Sequence, residues 1–318
     1  MKHLQYLTAG ESHGPGLTVI IHGLPAGFRL DTDQINLQLS RRQTGHGRGG
    51  RMKIEKDKVT ILSGLRNSIT LGSPLTCMIP NRDFKNWQDR MDPVSARTDN
   101  KVTVPRPGHA DYAGYVKYGM DDIRNILERA SARETAMRTV AGAVCRQFLE
   151  NAGISFYSMV VKIGTVSLDE NRYADPEQWP ASENSPVRCP DPIVSQKMAD
   201  AIDNAKKEGD SLGGVFKVAV RGLPVGLGSH TQWNERLTSM ISSHIMGIQA
   251  IRGIEFGLGF GCADLPGSKV HDPFIIQNGQ IHRSSNNSGG IEGGMSNGND
   301  LIFKAVMKPI PTLVKPLD

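Results

Sequence analysis

The strongest constraint on how this chain folds is an internal echo. Residues Val19–Phe28 read VIIHGLPAGF, and Val218–Leu227 read VAVRGLPVGL. Each is a run with β-branched residues that ends in G-L-P-x-G. Each is followed by a helical pattern, Asp31–Arg42 in one case and Thr231–Ile251 in the other. In the second, Leu237, Met240, Ile241, His244, Ile245 and Ile248 share one helical face. A strand that stops at a Gly/Pro turn and hands over to a helix is one supersecondary unit. Two copies predict two similar halves sharing one core, because a solenoid needs more repeats than two.

The remaining pattern mixes helices with strands. Ser131–Glu150 is the clearest helix: S-A-R-E reads as a capping box with Ser131 as N-cap and Glu134 at N3. Its apolar stripe runs through Met137, Val140, Ala141, Val144, Cys145, Phe148 and Leu149, and Gly153 lies beyond its end. Val194–Glu208 is a second helix by the same criterion. Strands are predicted at Leu17–Gly23, Val59–Leu62, Leu75–Ile79, Tyr157–Val166, Gly214–Arg221 and Leu301–Met307, and Asn278-Gly279 predicts a type I′ hairpin between Phe274–Ile276 and Gln280–His282. Short turns alternate with long Gly-rich loops, which favours an α+β fold with antiparallel sheets over a doubly wound parallel one. Glu183–Pro192 reads as a surface loop. Ser284–Gly298 is too rich in Gly and Asn for a core element; it is either a flexible linker or a backbone-lined ligand loop, and its place between two strand patterns favours the latter.

Charge narrows the function. The net charge is only +5, yet Arg41, Arg42, Arg48 and Arg51 lie within RRQTGHGRGGRM with no acidic neighbour. Glycines let a backbone approach a ligand, and guanidinium forks match carboxylate and phosphate oxygens. An RGG-type grip on nucleic acid calls for interleaved aromatics, and this run has none. A focused pocket for a small anion fits better. The G-x-G-x-x-G at Gly45–Gly50 follows a helical pattern and precedes a strand-like one, the wrong context for a dinucleotide fingerprint. There is no G-x-x-x-x-G-K-[ST] loop and no metal-ligand spacing, so no metal is expected. The four cysteines are scattered, and the N-terminus has no signal-like apolar stretch. A cytoplasmic protein with no membrane span is expected.

Two readings of Ser131 stay open. The helix N-terminus with Arg129 and Arg133 beside it, and Arg124 and Arg138 nearby, would suit an anion. The same arginines could instead pair with Glu128 and Glu134 along the helix. His13 and His109 lie in glycine-flanked loops, where proton-transferring groups concentrate, and Asp111 stands close enough in sequence to orient His109. This inventory suits elimination or transfer on a phosphorylated, carboxylated substrate with the help of a bound cofactor.

GESHGPGL (Gly10–Leu17), RRQTGHGRGGRM (Arg41–Met52), RPGHADYAGYVKYG (Arg106–Gly119), ERASARETAMR (Glu128–Arg138) and GGIEGGMSNG (Gly289–Gly298) together resemble the chorismate synthase family, in matching order along essentially the whole chain. The resemblance implies a single domain over residues 1–318 with helices sandwiched between antiparallel sheets and internal two-fold character. It implies a lyase that eliminates phosphate from 5-enolpyruvylshikimate 3-phosphate to give chorismate, with reduced FMN and a homotetramer; some family members reduce their own flavin with NADPH, and with no added reductase domain in view an external flavin reductase is the expectation here. By the same resemblance His13 would protonate the departing phosphate and His109 would stand near the flavin's N1/O2 edge. Arg42, Arg48, Arg51, Arg106 and Arg133 would hold substrate or NADP anions. Arg129, Ala130, Ser131, Gln249, Ala250, Gly293, Lys308, Pro309, Ile310, Pro311 and Thr312 would contact flavin. The family pattern continues into a segment with an Arg-Ser-Asp motif that contributes to flavin contact and proton removal, and this sequence ends at Asp318 before it. That departure makes a catalytically silent flavin- or anion-binding relative the alternative expectation.

Overall fold

In the computed structural model, which describes residues 4–49 and 54–315, the run before the first G-L-P-x-G is strand β2 (Gly16–His22). Leu17, Val19 and Ile21 are buried while Ile20 faces outward, the alternation of a half-buried strand. It pairs antiparallel with β1 (Gln5–Ala9) and β6 (Leu75–Pro80), and β3 (Thr60–Ser63) completes the sheet. Helix α1 (Thr32–Gln43) starts where Asp31 accepts from the Asp33 N–H at 2.8 Å. It buries Ile35 and Leu39 on the inner face of this sheet beside Met137, Val140 and Val144 of α4 (Thr135–Asn151). Helices α2 (Asp111–Tyr118) and α3 (Arg124–Ala130) precede α4. The chain forms two compact units, and these elements belong to the first, Met1–Thr44 with Arg48–Asn151.

The second unit, Gly45–Gly47 with Ala152–Asp318, is built on a five-stranded antiparallel sheet, in which Ile251–Phe256, Leu301–Met307, Gly214–Arg221, Ser155–Ile163 and Val166–Ser167 lie side by side in that order. Its strands are β7 (Ser155–Ile163), β8 (Val166–Ser167), β9 (Gly214–Arg221), β10 (Ile251–Phe256) and β15 (Leu301–Met307). Helix α5 (Pro192–Lys207) is capped by Asp191, which accepts from the N–H groups of Ile193 and Val194, with proline in the first turn. It adds Met198 and Ala199 to a core around Met159, Trp179 and Ala219. Helix α6 (Leu237–Met246) packs Leu237, Ile241 and Ile245 with Ile291, Leu301 and Phe303 in a further cluster.

The echo is a structural repeat. The order β1-β2-β6-β3 in the first unit is matched by β7-β9-β15-β10 in the second. Each G-L-P-x-G turn is met by a two-stranded hairpin, β4 (Leu65–Arg66) with β5 (Ile69–Thr70) or β13 (Ile291–Glu292) with β14 (Met295–Ser296). The hydrogen bonds repeat atom for atom. The Thr70 hydroxyl donates to Pro25 O (2.7 Å) and accepts from Phe28 N–H (2.9 Å). The Ser296 hydroxyl donates to Pro224 O (2.6 Å) and accepts from Leu227 N–H (2.8 Å).

Several sequence expectations are corrected. Helix Thr231–Ile251 shrinks to Leu237–Met246, because Ser229 and Thr231 bond to each other and to Glu235 in a turn before it. The strand Tyr157–Val166 is broken at Gly164, whose φ of +55° turns the chain into β8. Ala132–Glu134 is a 3₁₀ turn preceding α4, with Ser131 accepting from the Arg133 N–H, and the Glu134 carboxylate takes hydrogen bonds from Thr8 and Arg138. Within Glu183–Pro192, Val187 and Cys189 are core residues rather than surface loop. The type I′ hairpin is present between β11 (Phe274–Gln277) and β12 (Gln280–Arg283), with Asn278 and Gly279 both at positive φ.

Candidate functional site

The first unit places the two loop histidines on carboxylates. β1 ends at Ala9, and the chain doubles back so tightly that a Cβ on Gly10, at φ +105°, would lie 2.3 Å from Gly16 O. This fixes the loop that carries His13. Helix α3 presents Glu128 to it: the buried carboxylate accepts from the His13 N–H at 2.8 Å and from Nδ1 at 2.9 and 3.0 Å, while Glu128 O accepts from the Ser12 N–H. An ionised carboxylate only accepts, so Nδ1 carries the proton, and Nε2 is on the opposite side of the ring. The ring lies against Trp87, with centroids 4.1 Å apart. Trp87 is held by its indole N–H to Asp83 (3.2 Å), and the Arg124 and Arg90 guanidiniums lie 5.3 and 5.9 Å from its ring centroid.

His109 sits two residues before the start of α2. Its Nδ1 bonds to Asp111 Oδ1, and the other carboxylate oxygen accepts from Arg106 Nε (2.9 Å) and the Arg106 backbone N–H (3.1 Å). Burial alone would push the Asp111 carboxyl up, but the Arg106 and His109 hydrogen bonds outweigh it and hold it below the usual carboxylate range. The Arg106 guanidinium also reaches the imidazole, with a terminal nitrogen 3.2 Å from Nδ1.

A buried polar frame ties these loops to the helices. Arg133 donates to Asp57 Oδ2 (2.7 Å) and Asn81 Oδ1 (3.0 Å). Asn81 in turn donates to Glu11 O and Gly14 O on either side of His13. Arg42 donates to Thr135 and to Ala132 O and lies 3.6 Å from Asp57. Glu55 accepts from the N–H groups of Arg82 and Asp83, at the start of the turn that leads to Trp87. Arg129 donates to Thr8 O and its hydroxyl at 2.8 Å. The helix pairs also form: Arg124 with Glu128 at 3.7 Å and Arg138 with Glu134 at 3.1 Å.

The basic run is therefore divided. Arg42 faces the buried frame, His46 bonds to Asp203 at 2.8 Å within the second unit, Arg48 is exposed, and Arg51 lies outside the described residues. Ala130 is half-buried at the end of α3. In the second unit Ala250 adopts a left-handed φ of +69°, and its carbonyl accepts from the Lys308 N–H at 2.9 Å, which brings Gln249-Ala250 against Lys308-Pro309. Ile310 follows, its carbonyl accepting from Ser211, with Pro311 and Thr312 beyond. Gly293 forms the tip of the hairpin beside the start of α6, whereas Gln249 follows its end, one helix length of about 15 Å away. The stretch Ser284–Gly298 is well bonded: Asp272 accepts from the N–H groups of Asn287 and Ser288, and Asn286 from Gly290 N–H.

Sequence reasoning missed Trp87, Asn81 and Asp57, and treated Glu128 only as a helix ion-pair partner. Among the described residues no His/Cys/Asp/Glu group is arranged to hold a metal, and no helix is long and apolar enough to cross a membrane.

The comparisons with known proteins agree with one another. A family model described as chorismate synthase matches residues 4–318. Chorismate synthase from Syntrophotalea carbinolica is 52% identical, over 100% of this chain and 82% of its own length. That from Geobacillus thermodenitrificans is 50% identical over 99% and 82%. A crystal structure of chorismate synthase, 42% identical, matches with a TM-score of 0.82, covering 98% of this chain and 85% of that one. Mixed helices and antiparallel sheets are common to both folds.

Proposed function

The chain belongs to the chorismate synthase family, a lyase of aromatic amino-acid biosynthesis, and we propose that it converts 5-enolpyruvylshikimate 3-phosphate to chorismate by 1,4-elimination of phosphate and a proton. The observation that carries this reading is His13, held at Nδ1 by buried Glu128 and backed by Trp87. An imidazole fixed in this way offers Nε2 as a proton donor to a departing phosphate oxygen, help of about 10²–10⁴-fold. His109, oriented by Asp111, is the second proton-handling group. Arg48 and Arg106 are assigned to the anionic groups of the substrate, with Arg51 in the same basic run. Arg42 and Arg133 support it from the buried frame.

The residues assigned to reduced FMN carry groups of suitable chemistry in each unit taken by itself. Arg129, Ala130 and Ser131 in the first unit supply a guanidinium and a hydroxyl. Gln249, Ala250, Gly293 and Lys308–Thr312 in the second supply an amide, an ammonium, backbone groups and a hydroxyl. A Cβ on Gly293 would meet nothing within 4 Å, so a ligand can approach its backbone. The chemistry supplied by the bound flavin is transient electron donation with no net redox change. We assign flavin reduction by NADPH to an external reductase, assembly to a homotetramer and residence to the cytoplasm.

Anaerobic incubation with 5-enolpyruvylshikimate 3-phosphate and chemically reduced FMN should yield chorismate. FMN at a hundred times its Kd should stabilise the protein by about 2.7 kcal/mol, read as a rise in Tm. NADPH with oxidised FMN should give no turnover until a flavin reductase is added. Absence of both product and stabilisation would overturn the reading. Stabilisation without product would favour the silent flavin-binding alternative.

A further inference from the structure

We infer that Glu128 is the positioning residue of His13: it sets the tautomer and the rotation of the imidazole, so that Nε2 is the atom that exchanges protons with the leaving phosphate. The inference rests on the assignment of His13 as the acid. Three hydrogen-bonding contacts converge on one carboxylate. The backbone N–H of His13 donates to Oε2, Nδ1 lies within 3.0 Å of both oxygens, and the carboxylate is almost fully shielded from water. The neighbouring backbone is fixed by the same residue, since Glu128 O accepts from the Ser12 N–H at 3.0 Å. Main chain and side chain of Glu128 thus hold two successive residues of the loop.

The groups around the pair define its electrostatics. Arg124, one turn earlier on the same helix, lies 3.7 Å from Oε1 and also covers Trp87. Trp87 closes one face of the imidazole. With Nδ1–H committed to Glu128, a charged imidazolium has one proton to give, at Nε2. As the substrate's C–O bond breaks, the bonding pair leaves with phosphate and the Nε2 proton moves to a phosphate oxygen, while the substrate C–H bond of the 1,4-elimination loses its proton to a base other than His13 and its electron pair completes the new diene. A neutral imidazole remains, still protonated at Nδ1. Glu128 keeps its charge throughout and offsets that of the imidazolium before transfer. It touches no reacting atom.

The substitution Glu128→Gln keeps size and burial but removes the negative charge. It should lower kcat by about 10²-fold with KM little changed, the size of effect expected when an acid–base histidine loses its orienting carboxylate. A merely structural role would change Tm and leave kcat of the folded variant in place. His13→Ala separates the two assumptions. If His13→Ala retains wild-type kcat, the assignment of His13 fails. If it loses activity while Glu128→Gln keeps wild-type kcat, the positioning role fails. The double variant should be no slower than His13→Ala; an additive loss would overturn the inference. Should Glu128→Gln not fold, ¹⁵N-histidine spectra of the unmodified protein at high pH decide. A neutral His13 protonated at Nδ1 is expected, and protonation at Nε2 would refute the role.

Discussion

Asp111 shows how one buried carboxylate ties stability to chemistry. It is shared by Arg106 and His109, and those partners keep its carboxyl below the usual range against the opposing effect of burial. Its folded pKa lies below its unfolded one, so its contribution is fully present above the ordinary carboxylate pKa of about 4 and is lost as pH falls through the folded value. Asp111→Asn should cost about 1–3 kcal/mol at neutral pH, the cost of leaving buried donors badly partnered. Its stability should also fall less steeply on acidification. Urea midpoints measured from pH 7 down to pH 3 check both, and parallel acid profiles for the two proteins would refute the coupling. The same variant should lower kcat, since His109 loses the group that orients it. At this scale the histidines were legible because glycines flank them, and Asp111 because it is two residues away. Glu128 was not, because the contact joins residues 115 positions apart. Trp87 gave no signal at all: a single aromatic in a polar stretch looks like any other.

Elements were legible where local chemistry is self-sufficient. Asp31 and Asp191 cap their helices with side chains that reach only two or three residues onward, and Asn278-Gly279 makes its hairpin from its own backbone. Boundaries failed where a distant partner decides. Thr135–Asn151 begins later than Ser131 implied, because the Glu134 carboxylate is bonded by Thr8 and Arg138. The G-L-P-x-G echo was visible, but its cause was not, because Thr70 and Ser296 lie far from the turns they fasten. Each hydroxyl bridges a carbonyl and an N–H across its turn, which explains why either Ser or Thr serves. Thr70→Ser should therefore be close to neutral. Thr70→Val, of similar shape but without the hydroxyl, should cost about 1–3 kcal/mol for two unsatisfied backbone groups, as should Ser296→Ala. Chemical denaturation of the variants tests this, and a tolerated Thr70→Val would show that water replaces the hydroxyl on both sides.

On the scale of the whole molecule, the first unit presents a sheet face that stays exposed among the described residues. A sheet open to water on one side usually alternates apolar inward with polar outward. The first unit's sheet breaks this rule: Leu7 faces Ile20 across β1 and β2 on the side away from the core, 69% and 43% exposed, and Leu62 on β3 is 55% exposed. Clustered apolar side chains on a regular strand surface are the usual mark of an assembly interface, and closed symmetric assembly is the usual way to bury them. A homotetramer would meet that need. Sedimentation should then return a species of four times the 34.6 kDa chain mass. Changing Leu7 and Ile20 together to Glu should yield a smaller species whose far-ultraviolet circular dichroism is unchanged, because neither side chain enters the core. A wild-type protein that sediments as a single chain would dismiss the tetramer. A charged double variant that remains tetrameric would place the interface on another surface.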